Sequence, residues 1–278
     1  MNIFEAVLLG AVEGFTEFLP ISSTGHLTIL EKLLGYEIDD PAITAFTVII
    51  QSGAVLATII FLRKDIVRVV PAWFRGVFSK GGRDDPDYRF GWAVIVGAIP
   101  IVIAALLFKD QVETTLRSLW FVSGALILWS AVMAFADHAA TQVRHEEDVT
   151  WKDSLVIGVV QCLALIPGVS RSGATMSAGL LRDFDRVTVT KLSFFLSIPA
   201  LLGASVLQGV EEAGRISDGV GWGNTLLATA VSFVVAYLSV NWLLRFISRH
   251  SYSVFIFYRV VLGLLLMVLL VTNTIEPK

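Results

Sequence analysis

Leu19-Pro20-Ile21-Ser22-Ser23-Thr24-Gly25-His26 and Ile166-Pro167-Gly168-Val169-Ser170-Arg171-Ser172-Gly173-Ala174-Thr175 each interrupt a long apolar run, residues 2–34 and residues 153–182. Each run is too long for a single membrane crossing, and most of the arms left by the breaks hold 12 to 14 residues. Such an arm reaches about 20 Å as a helix, against a hydrocarbon core of about 30 Å. The arm 3–19 is longer and nearly spans. The pattern predicts two re-entrant helical hairpins that enter the bilayer, turn near its midplane and leave on the side they entered.

Around the hairpins, five windows approach the roughly 20 apolar residues that a spanning helix needs and hold no charge: 42–62, 91–108, 118–136, 192–208 and 224–244. A sixth, 254–272, holds only Arg259. The expected fold is all-α: a polytopic membrane protein with six spanning helices plus the two hairpins, in one integral membrane domain over residues 1–278. Composition agrees. The 278 residues are 55% hydrophobic and 16% charged with a mean hydropathy of +0.74, whereas soluble domains carry about 25% charged residues. A net charge of −3 gives no basic patch for nucleic acid. A single cysteine, Cys162, excludes an intramolecular disulfide and a cysteine zinc site. The first apolar run lacks a basic leader and a small-residue cleavage site, so it reads as structure rather than a removable signal peptide.

The hairpins resemble each other. Gly10-x-x-Glu13 aligns with Gly158-x-x-Gln161 at an offset of 148, Ser22-x-Thr24-Gly25 aligns with Ser170-x-Ser172-Gly173, and Phe46 and Phe194 continue the register. Each half reads as a hairpin plus three spans, repeat 1 over about 1–137 and repeat 2 over about 152–273. An odd number of spans turns the second copy over, which predicts an inverted-topology repeat. Loop charge sets the orientation. The loops 63–90, 137–152, 182–191 and 245–253 hold 14 Lys/Arg, whereas the other side holds five: Lys32, Lys109, Arg117, Arg215 and Lys278. The basic side is expected to be cytoplasmic, with both termini outside. Lys64–Phe78 alternates basic and large apolar residues, which suits a helix lying in the cytoplasmic interface. The plainer reading is a basic loop.

Charge inside a bilayer is expensive and marks function. Glu13, Glu17, His26, Arg171 and Arg259 lie in these segments, four of them in the hairpins. Glu13 and Glu17 are four apart on one helix face and need a shared proton, an arginine or a divalent cation. Ser22, Ser23 and Thr24 are N-cap types where the helix restarts, and a helix N-terminus there favours an anion. The second tip offers Gly168, Ser170, Arg171 and Ser172, with Thr175 one turn on. Two helix N-termini, a planar guanidinium and a lining of hydroxyls describe a phosphate or diphosphate cradle. Ser23 and His26 share a face at i, i+3, the arrangement of an activated nucleophile and its base. Gln51, mid-span, bonds either the site or a neighbouring helix. Arg259 either joins the site or snorkels to the interface. His138, His145 and His250 read as solvated loop residues.

Glu13-Gly-Phe-Thr-Glu17-Phe-Leu-Pro-Ile-Ser-Ser-Thr-Gly-His26 and Pro167-Gly-Val-Ser-Arg-Ser-Gly-Ala-Thr175 resemble the signatures of the bacterial undecaprenyl-diphosphate phosphatase family, also called bacitracin-resistance proteins. The likeness extends over the whole chain. It implies an inner-membrane enzyme that removes the terminal phosphate of undecaprenyl diphosphate, with help from Mg²⁺ or Ca²⁺. It further implies metal and acid–base roles for Glu13 and Glu17, and a nucleophilic centre of Ser23 and His26. The diphosphate would lie on Ser170, Arg171, Ser172 and Thr175, beside Ser22, Thr24 and Gly168, with Gln51 and Arg259 as further candidates. Either Ser23 or a water attacks. The partners expected are a polyprenyl diphosphate lipid, the membrane and, as a candidate, a second copy in a homodimer. The first hairpin has both ends on the side poor in Lys/Arg, so the site is expected to open outward. The rival from another class is a transporter or flippase for an anionic head group, because broken helices in inverted repeats also build carriers.

Overall fold

The computed structural model describes residues 1–38, 40–108, 111 and 118–277. Lys109, Arg117 and Lys278, used above in the charge count, lie outside the described residues. Among the described residues six helices are long and apolar enough to cross a membrane. They are α3 (Pro41–Phe61), α5 (Pro86–Leu107), α6 (Leu119–Ala139), α9 (Arg186–Glu211), α11 (Trp222–Ile247) and α12 (Ser253–Val271), with the short α10 (Ala213–Asp218) between α9 and α11. Their outward side chains are apolar, as Leu128, Phe257 and Val210 illustrate, which is the surface a lipid solvent accepts. The chain is a multi-pass membrane protein.

Two of the spans start five or six residues ahead of their apolar windows. The reason is capping: Asp85 accepts from the Asp87 amide ahead of Pro86, and Asp185 accepts from the Thr188 amide. A side-chain cap satisfies the first-turn amides, so these helices begin in the charged loop before they reach hydrocarbon. The segment expected in the interface is α4 (Arg63–Phe78). Val69, Ala72 and Gly76 are buried, and Gly76 fits under the Tyr88 ring of α5. Val67, Val70, Phe74 and Phe78 face out.

The interrupted runs fold as two helix–break–helix segments. The first comprises α1 (Ile3–Thr16) and α2 (Ser23–Leu33), the second α7 (Trp151–Gln161) and α8 (Arg171–Leu180). The 14 residues of α1 reach about 21 Å, and the 11 of α7 about 16 Å. Both segments use the same local rules at the same offset. Asn2 and Glu5 form a capping box at the start of α1, and Thr150 and Asp153 form one at the start of α7. Ser22 (φ 73°) and Ser170 (φ 75°) take left-handed backbones after the breaks, and each accepts from the amide three residues on, Gly25 or Gly173, at 3.2 Å.

Glycines fix how deep the two segments sit. α1 packs on α11 and α7 on α5. A methyl on Gly10 would collide with the Ala228 carbonyl, and one on Gly158 with the Gly97 carbonyl, so the backbones approach without side chains between them. α3 also packs on α9 and α11, and α6 on α12, leaving both breaks at the centre of the bundle.

The bundle has two different ends. At one, Asn224 donates to the Met1 carbonyl (2.8 Å), Lys32 pairs with Glu276 (3.5 Å) and the Leu119 amide donates to the Pro277 carbonyl (2.9 Å), so both chain ends lie together. At the other, Lys191 and Arg68 join Asp65, Asp87 and Glu146, and Asp153 takes Arg144 and Arg182. His145, read as solvated, donates to Asp185 across 2.8 Å there, and that bond raises its pKa above the ordinary histidine value.

Candidate active site

The two breaks meet. Ser22 Oγ accepts from the Gly168 amide at 3.2 Å, and Ser172 Oγ donates to the Leu19 carbonyl at 2.9 Å. Gly168 has φ 101°, and a methyl there would run into the Val122 carbonyl, so the second tip tolerates only glycine against α6. The first turns of α2 and α8 therefore start side by side where the tips touch. There the amides of Ser23, Thr24, Arg171 and Ser172 have no acceptor within their own helix.

Glu17 is the hub. Its Oε2 accepts from Ser23 Oγ at 2.5 Å, and its Oε1 accepts from Arg171 Nη2 at 3.2 Å. Arg171 is steadied by a second donation, Nη1 to the Ser193 carbonyl at 3.0 Å, and by the Phe18 ring 5.6 Å from its guanidinium carbon. Its buried Nε has no partner among the described residues. Glu13 lies one turn before Glu17, fully buried beside that carboxylate, and neither of its oxygens meets a donor N–H or O–H among the described residues. A buried carboxylate with empty lone pairs is costly unless something positive reaches it.

His26 departs from expectation. The Ser23–His26 hydrogen bond does not form. Imidazole Nδ1 lies 2.7 Å from the Ser22 carbonyl and Nε2 lies 2.6 Å from Tyr258 Oη. The left-handed cap at Ser22 places a carbonyl on His26, and Ser23 turns to Glu17 instead. The group that Ser23 meets is thus Glu17, across the break from the end of α1, brought together by the break rather than by helical spacing.

Arg259 does not snorkel: the side chain is fully buried, with Nε donating to Ser130 Oγ (3.1 Å), Nη1 to the Pro20 carbonyl (3.2 Å) and Nη2 to the carbonyls of Gly168 (2.9 Å) and Ala125 (3.5 Å). It ties both tips to α6 and α12. Ser170, Ser172 and Thr175 are buried too. Ser170 and Ser172 bond each other at 3.0 Å. Thr175 Oγ1 lies 2.7 Å from Ser193 Oγ and donates to the Arg171 carbonyl at 2.9 Å. These hydroxyls are spent on the protein itself: Ser172 on the Leu19 carbonyl of the other tip, and Thr175 on Ser193, whose carbonyl takes Arg171. Gln51 is half-buried in the middle of α3. Ser23, Thr24 and His26 keep partial exposure, as does the Arg171 side chain.

Three contributors escaped the sequence reading. Ser193 and Phe18 support Arg171, and Tyr258 supports His26. Only Tyr258 carried a signal, its place beside Arg259. Among the described residues no three His, Cys, Asp or Glu side chains group as a metal cage. Two carboxylates, Glu13 and Glu17, are what the site offers a cation.

A family model described as bacitracin resistance protein BacA matches residues 6–265, a stretch that includes both tips. The undecaprenyl-diphosphatase 3 of Frankia casuarinae is 67% identical over 276 residues, covering 99% of each chain. The undecaprenyl-diphosphatases of Cutibacterium acnes (52%) and Acidothermus cellulolyticus (48%) likewise cover 99% of this chain and of their own. With the match running through every residue of the Glu17–Ser23–Arg171 cluster, this chain belongs to the BacA family of bacitracin resistance proteins.

Proposed function

We propose that this protein is an undecaprenyl-diphosphate phosphatase of the bacterial inner membrane, which releases the terminal phosphate and returns the lipid carrier to cell-wall synthesis. Bacitracin resistance follows from that turnover. The observation that carries the reading is the Ser23–Glu17–Arg171 chain, set at two facing helix N-termini inside an apolar bundle. Phosphoryl transfer asks for positioning and charge neutralisation, and these groups supply both. Arg171 and the first-turn amides hold the diphosphate. Ser23 Oγ bonds the terminal phosphorus while its proton passes to Glu17. The bond to the bridging oxygen breaks, and its electron pair leaves with undecaprenyl phosphate. Water then displaces Ser23, which recovers its proton from Glu17, and inorganic phosphate departs. His26 stands beside this centre as a second proton-handling group.

Glu13 fits a divalent cation. Its two unpartnered buried oxygens, next to Glu17, match the one or two carboxylates with which Mg²⁺ is commonly bound alongside substrate phosphates. When bound, Mg²⁺ or Ca²⁺ would neutralise diphosphate charge. The matched caps at Asn2 and Thr150 and at Ser22 and Ser170 support an inverted repeat of two re-entrant hairpins. The end that is rich in Lys/Arg supports a cytoplasmic assignment for it, with both termini and the opening of the site outside.

The like pairing of α1 on α11 and α7 on α5 also favours a second reading, a carrier or flippase of a polyprenyl phosphate. Purified protein in detergent, given a polyprenyl diphosphate, separates the two. The phosphatase releases phosphate at many turnovers per molecule. A carrier releases none, and that result would sink the hydrolytic reading.

A further inference from the structure

We propose that Tyr258 is the positioning residue of His26, holding the imidazole in one tautomer and one orientation at the edge of the site. The proposal rests on the placing of His26 in the reacting centre. The Ser22 carbonyl can only accept, so Nδ1, 2.7 Å away, carries the proton of the neutral ring. Nε2 then has the lone pair and accepts from the Tyr258 hydroxyl at 2.6 Å. The two rings are also stacked, with centroids 5.5 Å apart and planes within 10°. Position, plane and tautomer are thereby all fixed.

α2 and α12 also meet one turn on, where Ile29 packs in one apolar cluster with Leu262 and Leu266, and the His26–Tyr258 bond is the polar link between the two helices at the break. Arg259, the next residue, fastens Pro20 and Gly168 to the same turn of α12. One turn therefore sets both where the tips lie and where His26 points. Tyr258 is 42% exposed on the side of α12 that also turns Phe257, Val261 and Leu264 outward. Its ring stands between the imidazole and the bilayer, where a bare Nε2 would have no partner. The contact also survives a change of proton. When Nε2 gains a proton, the N–H donates to the phenol oxygen and the phenol O–H rotates away, keeping its own proton. The ring does not have to move, which is the preorganisation a proton-handling group needs.

Tyr258→Phe keeps the ring and removes the hydroxyl. Loss of one hydrogen bond should lower kcat about five- to tenfold, with KM within about twofold. Nitrogen-15 spectra of histidine-labelled protein should show His26 passing from a single Nδ1–H tautomer to a mixture, its signal identified by its absence in His26→Gln. Tyr258→Leu, which also removes the stacked ring, should lose more. Wild-type kcat together with an unchanged single tautomer in Tyr258→Phe would overturn the proposal. Failure of Tyr258→Phe to fold as a monodisperse protein in detergent would overturn it too, by making the hydroxyl structural. His26→Gln, assayed in parallel, separates the layers of the argument. Wild-type turnover there removes His26 from the centre and Tyr258 with it, whereas an inactive His26→Gln beside an unaffected Tyr258→Phe removes Tyr258 alone.

Discussion

At the scale of single residues, Glu17 uses both of its oxygens: it holds Ser23 by one and Arg171 by the other. Glu17→Gln cannot take a proton and turns an amide N–H toward one of two donors. Phosphate release should fall by about a thousandfold, within the range of a lost general base. Arg171→Lys should fall by about a hundredfold even at saturating substrate, since one ammonium cannot span Glu17 and the Ser193 carbonyl together. Ser23→Ala decides the nucleophile. Loss as deep as that of Glu17→Gln is expected; retention of a large fraction of activity would give the attack to water. Exhaustive chelation should stop turnover and added Mg²⁺ or Ca²⁺ restore it. Undiminished release would leave Glu13 without its cation. Glu13, Glu17 and Arg171 were legible from sequence because charge among apolar neighbours stands out. The protein partners of Ser172 and Thr175 were not legible, because spacing says which hydroxyls share a turn, not what that turn packs against. Tyr258 was missed because an aromatic in a span looks like a lipid-facing side chain.

At the scale of elements, the tips are held by α12 as well as by each other. Arg259 reaches two carbonyls from the breaks and two groups of α6, so Arg259→Met leaves buried carbonyls unpaired. Its removal is expected to cost about 1–3 kcal/mol per orphaned group. The thermal midpoint in detergent and phosphate release should drop together, and Arg259→Lys should rescue neither. An active, stable Arg259→Met would deny the tie. The backbone approach of α7 to α5 predicts a purely steric counterpart far from the chemistry. Gly158→Val forces a side chain against the Gly97 carbonyl and should lower the midpoint by roughly 5–10 °C. The elements were readable as such: breaks at the two Pro/Gly/Ser clusters, six apolar windows, an amphipathic α4. Their ends were less readable, since α1 already stops at Thr16 and α5 and α9 begin at caps outside the apolar stretch. Hydropathy marks where hydrocarbon begins, while a helix ends where its backbone groups find other partners. The Ser23–Glu17 contact lay beyond reach for the same reason: the geometry of a break is set by what it packs against.

At the scale of the whole molecule, the direction in which the site opens can be tested without any assay of turnover. The tips come from segments rooted at opposite ends of the bundle, so the cradle alone has no side. The partly exposed groups do. Ser23, Thr24 and His26 belong to the segment whose two ends lie with both chain termini, beside the Lys32–Glu276 and Met1–Asn224 contacts. The second segment gives Arg171 from a root at the opposite end, where Arg144 and Arg182 clasp Asp153. If that basic end is cytoplasmic, water reaches Thr24 from outside, and the terminal phosphate is released on the side where both termini lie. Cysteine in place of Thr24, in a Cys162→Ser background, should then react with a membrane-impermeant thiol reagent added to intact spheroplasts. A polyprenyl diphosphate added beforehand should slow the reaction, because the head group occupies the same turn. Labelling confined to inverted, cytoplasm-out vesicles would reverse the orientation. Labelling from both sides would mean that the cradle changes its exposure, and the alternating carrier would then displace the outward-facing hydrolase.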